Sequence, residues 1–157
     1  MELISLAIQI MSIEPKIIPL ITYASRAFED FFLFLPALTG TSNDGVIFAT
    51  LCFYEELLSY DGLEPHHIVD FYGKAAFFRK LEQIVVESDY SERLKDKVYQ
   101  ILFSLLCLAD FKMICSFQKC ADVLTLLLSF FLRPNQSARN IDIAATVTER
   151  VIGLELN

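Results

Sequence analysis

Tryptophan is absent from this chain, histidine occurs only as the adjacent pair His66 and His67, and glycine and proline number five each. Each scarcity excludes something. With so few turn formers, many short strands joined by tight turns are not expected, whereas long uninterrupted helices are. Neighbouring histidines on a helix point in different directions, and the EPHH stretch at Glu64 to His67 reads as a helix start with Pro65 in the first turn. HExxH, glycine-rich phosphate loops and a Ser-His-Asp arrangement are all missing. Cys52, Cys107, Cys115 and Cys120 form no CxxC pair and lie far in sequence from the histidines, so reduced, buried thiols are expected rather than a zinc site. The reading is of a non-enzyme without metal or cofactor.

Positive charge is also short: 13 Lys and Arg stand against 20 Asp and Glu, for a net charge of -7. Phosphate-tracking surfaces draw on clustered Lys and Arg, so nucleic acid is not an expected partner. Apolar runs of spanning length are lacking too. MELISLAIQIMSIEPKIIPLITY is broken at Glu14, Pro15 and Lys16, and ADVLTLLLSFFL stops after a dozen residues at Arg133, where a bilayer asks for about twenty. The first run begins with Glu2 and has no basic leading region, unlike a signal peptide. A membrane protein is not expected; an intracellular protein, cytoplasmic or nuclear, is.

What remains is apolar side chain. Apolar types make up 54% of the 157 residues and phenylalanine alone supplies 14, enough for one domain over 1–157 that buries its own core. Polar breaks fall at TGTSNDG, SYDGLEP, ESDYSE and RPNQS, with Ser42 or Asn43, Ser91 and Asn135 placed to cap the helices that follow. Between the breaks a pattern recurs. At an offset of 46, Ile68 meets Ile114, Phe71 meets Phe117, Ala75 meets Ala121 and Leu81 meets Leu127. After each copy comes a longer amphipathic segment, SERLKDKVYQILFSLLCLAD and then NQSARNIDIAATVTERVIGLE, and NDGVIFATLCFYEELL precedes the first. In the Arg93 to Asp110 copy, Leu94, Val98, Ile101, Leu102, Leu105 and Leu106 fall at the three-and-four spacing of one apolar helix face. The units end near Gly62, Asp110 and Leu156, which divides the chain into roughly 1–62, 63–110 and 111–157, the forty-odd residues of a helical solenoid unit.

On these segments the chain resembles the armadillo repeat family, with HEAT repeats giving nearly the same signal. LEPHHIVDFYG stands as a first helix, KAAFFRKLEQIVVES as a second and SERLKDKVYQILFSLLCLAD as a third; FKMICSFQK, CADVLTLLLSFFL and NQSARNIDIAATVTERVIGLE repeat the order. The resemblance implies an all-α fold, a short right-handed α-solenoid of about three units whose third helices line a groove. It also implies a protein-protein scaffold or adaptor holding a peptide or helix of a partner. Where the nuclear-import members carry their Asn and Trp ladder, this chain has Gln100, Ser104, Thr146 and Arg150, so reading of nuclear-localisation signals is not expected.

The side chains expected to face a bound segment are Cys52, Glu55, Glu56, Gln100, Ser104, Thr146 and Arg150. A second contact is expected at the apolar N-terminal end, through Leu3, Leu6, Ile10 and Ile13, for a protein partner or for another copy in a homo-oligomer. The alternative reading is a compact helical bundle of regulatory or viral type that binds one amphipathic helix.

Overall fold

A computed structural model of the chain describes residues 41–59 and 64–155. These residues form seven helices and no strand: α1 (Thr41–Leu58), α2 (Pro65–Tyr72), α3 (Ala75–Val86), α4 (Glu92–Leu108), α5 (Phe111–Cys120), α6 (Val123–Phe130) and α7 (Ala138–Glu155). The protein is all-α over this range. Leu3, Leu6, Ile10 and Ile13 lie outside the described residues.

Local chemistry sets the helix ends. Pro65 opens α2, where its missing N–H has no partner to lose, and the Glu64 backbone N–H donates to His67 Nδ1 at 3.1 Å. Asp110 accepts the Met113 N–H at 2.9 Å to start α5, and Asp122 accepts the Thr125 N–H at 3.0 Å and its hydroxyl at 2.7 Å to start α6. The bond from the Thr125 backbone, then that from its hydroxyl, holds the Asp122 carboxyl below its ordinary pKa. At Gly73 a Cβ would stand 2.5 Å from the Val69 carbonyl oxygen, so the α2–α3 junction requires glycine.

Two cap expectations differ in detail. α1 begins at Thr41, upstream of Ser42 and Asn43. Asn135 lies three residues before α7 and takes φ 60°, a left-handed conformation that asparagine tolerates, while the Ser137 hydroxyl accepts the Asn140 N–H at 3.2 Å. Ser91 does sit at the N-cap of α4, although its side chain makes no cap bond.

α4 is the hub. It packs against α1 most extensively and also against α3 and α7; α6 packs on α7, and α5 packs on both α2 and α3. Its face of Leu94, Val98, Ile101, Leu102, Leu105 and Leu106 is buried, as the spacing predicts. Aromatic rings continue the core outward. Tyr54, Tyr72 and Phe77 join α1, α2 and α3 at centroid distances of 5.0 to 5.5 Å, and Phe78 meets Phe117 of α5 at 5.5 Å. On the other side Phe130 of α6 meets Tyr99 at 5.2 Å and Phe103 at 5.1 Å.

The 46-residue offset also runs through the burial pattern. Ile68 and Ile114, Leu81 and Leu127, Ile84 and Phe130, Val98 and Ala144, Ile101 and Val147, and Leu105 and Val151 are all buried. Thr148, which replaces Leu102 in that register, is buried with its hydroxyl donating to the Ala144 carbonyl at 2.7 Å. Among the described residues no single helix is long and apolar enough to cross a membrane; α5 and α6 together would be, but they meet at 91°.

One buried cation interrupts the core. Lys80 is 2% exposed, and its Nζ donates to Tyr90 Oη at 2.8 Å and Gln83 Oε1 at 3.1 Å. Burial pulls its pKa down, with Glu87 opposing. A depressed ammonium pKa in the folded state means that stability rises as pH climbs from that value towards the unfolded lysine value near ~10.4. Urea unfolding of the native chain and Lys80→Met, compared at neutral pH and near pH ~9.5, is expected to show the native chain gaining on the variant at the higher pH. A gap that does not change with pH would contradict the desolvation of Lys80.

Candidate functional site

α1, α4 and α7 form a row joined by three sets of polar contacts. From α1, Glu55 accepts an ion-paired hydrogen bond from Lys97 of α4, and the ring of Phe48 lies 3.6 Å under the Arg93 guanidinium. From α7, Arg150 reaches the carbonyl end of α4, donating to the oxygens of Leu106 at 2.8 Å, Cys107 at 3.2 Å and Ala109 at 2.6 Å. Those carbonyls have no intrahelical donor of their own, and a guanidinium there also meets the negative end of the helix dipole. From the α6–α7 connection, Arg133 Nη2 pairs with Glu92 and with Asp96, each at 2.7 Å.

Between α4 and that connection lies a cleft of about 290 Å³, lined by Asp96, Gln100, Asn135, Gln136, Ser137 and Asn140 over the aromatic floor of Tyr99, Phe103 and Phe130. The Tyr99 hydroxyl donates to Ser129 Oγ at 2.6 Å, since Ser129 spends its own proton on the Leu126 carbonyl. Arg133 Nη1 is buried and makes no hydrogen bond among the described residues. The hydrogen bond from Arg133 is the main reason that the Glu92 carboxyl sits below its ordinary pKa.

The seven side chains expected to face a partner divide into three groups. Gln100 and Thr146 are exposed on α4 and α7, Gln100 lines the cleft, and Thr146 Oγ1 donates back to the Asp142 carbonyl at 2.9 Å. Cys52 and Glu56 are half-buried on α1, and Ser104 is half-buried on α4. Burial pushes the Cys52 thiol pKa up, with Lys97 opposing, so it is a poor nucleophile. Glu55 and Arg150 are already engaged within the row, Glu55 by Lys97 and Arg150 by the end of α4.

Lys97, Arg133 and Asn140 were not among the expected residues. The partners of Lys97 and Arg133 stand some forty residues away in sequence, which no local pattern signals, whereas the Asn140 N–H is held by Ser137 three residues before it. His66 and His67, the only histidines, both serve the start of α2, His66 through its 3.2 Å contact with Glu64. Among the described residues no three His, Cys, Asp or Glu side chains converge as a metal site would need.

What this row can do chemically is present amide, hydroxyl and carboxylate groups, donors and acceptors together, beside a cleft with an aromatic floor. Comparison with known proteins adds nothing to that description: no family model, no curated protein and no solved structure matches the chain.

Proposed function

We propose that this protein is a short armadillo-like α-solenoid that acts as a non-enzymatic binding module, holding a segment of a partner protein along the row formed by α1, α4 and α7. The observation that carries the reading is the order of packing. α4 meets α1 on one side and α7 on the other, and α2 meets α5, as first helices would meet first helices and third helices third helices. The 46-residue register of buried positions supports the same equivalence. Stacked helical units offer an extended surface rather than a reaction centre.

The chemistry of the row favours one kind of segment. Gln100 and Thr146 can each donate and accept, which suits an extended backbone or a helix end. Glu56, Asp142 and Glu149 on the outer helices make no ion pair among the described residues, whereas the Arg150 guanidinium is committed to α4. A segment bearing Lys or Arg fits this charge balance, and its affinity should fall with added salt because Asp142 and Glu149 are exposed.

Gln100→Ala combined with Thr146→Ala is expected to weaken the complex with a captured partner about tenfold, equivalent to roughly 1.4 kcal/mol, with helical content unchanged. Calorimetric titration of both proteins checks this. Equal affinity for the native chain and the double variant would remove the row as the binding surface.

A further inference from the structure

The cleft between α4 and the α6–α7 connection is lined by four of the chain's nine Asn and Gln residues: Gln100, Asn135, Gln136 and Asn140. Gln136 Nε2 donates to the Pro134 carbonyl at 3.2 Å, and the side-chain amides of Gln100, Asn135 and Asn140 make no hydrogen bond among the described residues. A side-chain amide carries two donors and an acceptor, so this wall holds much unspent hydrogen-bonding capacity.

The charges at the cleft are in the opposite state. Arg133 Nη2 holds Glu92 and Asp96, each at 2.7 Å, and Lys95 lies 3.7 Å from Glu92, so two cations and two carboxylates balance one another. What Arg133 lacks is an acceptor for Nη1, which is buried and unbonded among the described residues.

These observations select among occupants. An ammonium or a carboxylate entering the cleft would leave water without meeting an unpaired counter-charge, the carboxylate facing Asp96 and the ammonium facing Arg133. An apolar side chain would cut the free amides off from water and leave Arg133 Nη1 as it is. A hydroxyl fills both hydrogen-bonding roles from one oxygen, whereas a carboxamide carries its acceptor and its donors on neighbouring atoms, the complement of a guanidinium beside a carboxylate. Size agrees with this choice: about 290 Å³ lies at the lower end of ligand pockets, ~300 to 1,000 Å³, and suits one side chain with its own backbone.

We infer that the cleft takes the carboxamide of an Asn or Gln side chain from the partner segment, its carbonyl oxygen beside Arg133 and its N–H groups towards Asp96. Lys or Arg elsewhere in the segment then falls to the exposed Asp142 and Glu149 on α7. The assignment rests on the reading that a partner segment lies along the α1–α4–α7 row, but the two can fail separately.

The test uses the full chain and five probes, the N-acetyl, N-methylamide derivatives of glutamine, glutamate, lysine, leucine and threonine. Each is titrated while the side-chain amide resonances of Gln100, Asn135, Gln136 and Asn140 are followed by NMR. All five share the same two backbone amides, so a difference among them reports the side chain. The glutamine probe is expected to shift these resonances to saturation with a dissociation constant at least about tenfold below those of the other four. Asp96→Asn, which leaves Arg133 its pairing with Glu92, is expected to improve the glutamate probe about tenfold, since the carboxylate facing it is gone. Equal affinity for all five, which would mean that the cleft holds main chain, would overturn the inference. So would tighter binding of another probe, no saturation by the glutamine probe, or a glutamate probe that Asp96→Asn leaves unmoved. Each of these leaves the row to be decided by the Gln100 and Thr146 variants, whereas a partner that ignores those variants removes the row and leaves a glutamine-selective cleft standing.

Discussion

Phe117→Ala is expected to destabilise the chain by about 3 to 5 kcal/mol, the range for removing a fully buried aromatic side chain. Phe117 is 0% exposed and is the ring through which α5 meets Phe78 of α3. Its loss opens a cavity where two helical layers join, and the aromatic chain through Phe77, Tyr72 and Tyr54 ends without its last member. Leu105→Ala, within the single helix that contacts α1, α3 and α7, should cost about 2 to 5 kcal/mol for the same reason. Equilibrium urea unfolding measures both. A loss below about 1 kcal/mol for Phe117→Ala would mean that α5 does not pack on α3 as described.

Arg150→Met should cost about 1 to 3 kcal/mol, far more than a surface substitution, because three carbonyl oxygens at the end of α4 lose a charged donor. Methionine keeps much of the apolar stem, so the difference reports the guanidinium rather than packing. Arg139→Met, on an exposed residue in the first turn of the same helix, should stay within about 0.5 kcal/mol and serves as the comparison. Equal small effects for the two arginines would show that Arg150 does not tie α7 to α4. The consequence for function is direct. A charge reversal at Arg150 would disturb the junction of two helices, so a change in binding there could not be assigned to the partner surface, and Gln100 with Thr146 make the cleaner pair.

Much of the helical layout was legible in the sequence because it depends on short-range chemistry. The segments SERLKDKVYQILFSLLCLAD and FKMICSFQK fall within two residues of α4 and α5, since the apolar three-and-four spacing and the breaks at Ser91 and Asp110 set their limits. The core face from Leu94 to Leu106 followed from the same spacing. The connection after α6 was less legible: Phe131 and Leu132 extend the apolar run beyond the helix end at Phe130, and the chain turns through Asn135 at positive φ before Ser137 caps α7.

The site was legible only in part. Exposure of Gln100 and Thr146 follows from their helical phase, as expected for the polar side of an amphipathic helix. That Arg150 and Glu55 would be consumed within the row depends on which helices meet, Arg150 on its approach to α4 and Glu55 on Lys97, and neither contact leaves a trace in local sequence. The buried amine of Lys80 shows the same gap. Nothing in AAFFRKLEQIVV distinguishes it from the exposed Arg79 beside it: Gln83 of the same helix supplies one acceptor, and the second comes from the return of Tyr90.

The measurement that tests the proposed binding row most directly is site-specific photocrosslinking in a cell extract, with a photoreactive side chain placed in turn at Gln100, Thr146, Glu82 and Lys119. All four residues are exposed, the first two on α4 and α7 and the last two on α3 and α5. Gln100 and Thr146 are expected to crosslink the same partner protein, with added salt weakening the capture and Glu82 and Lys119 leaving it uncaptured. Capture of that partner from Glu82 or Lys119, with none from Gln100 or Thr146, would contradict it and put the binding surface on the opposite layer.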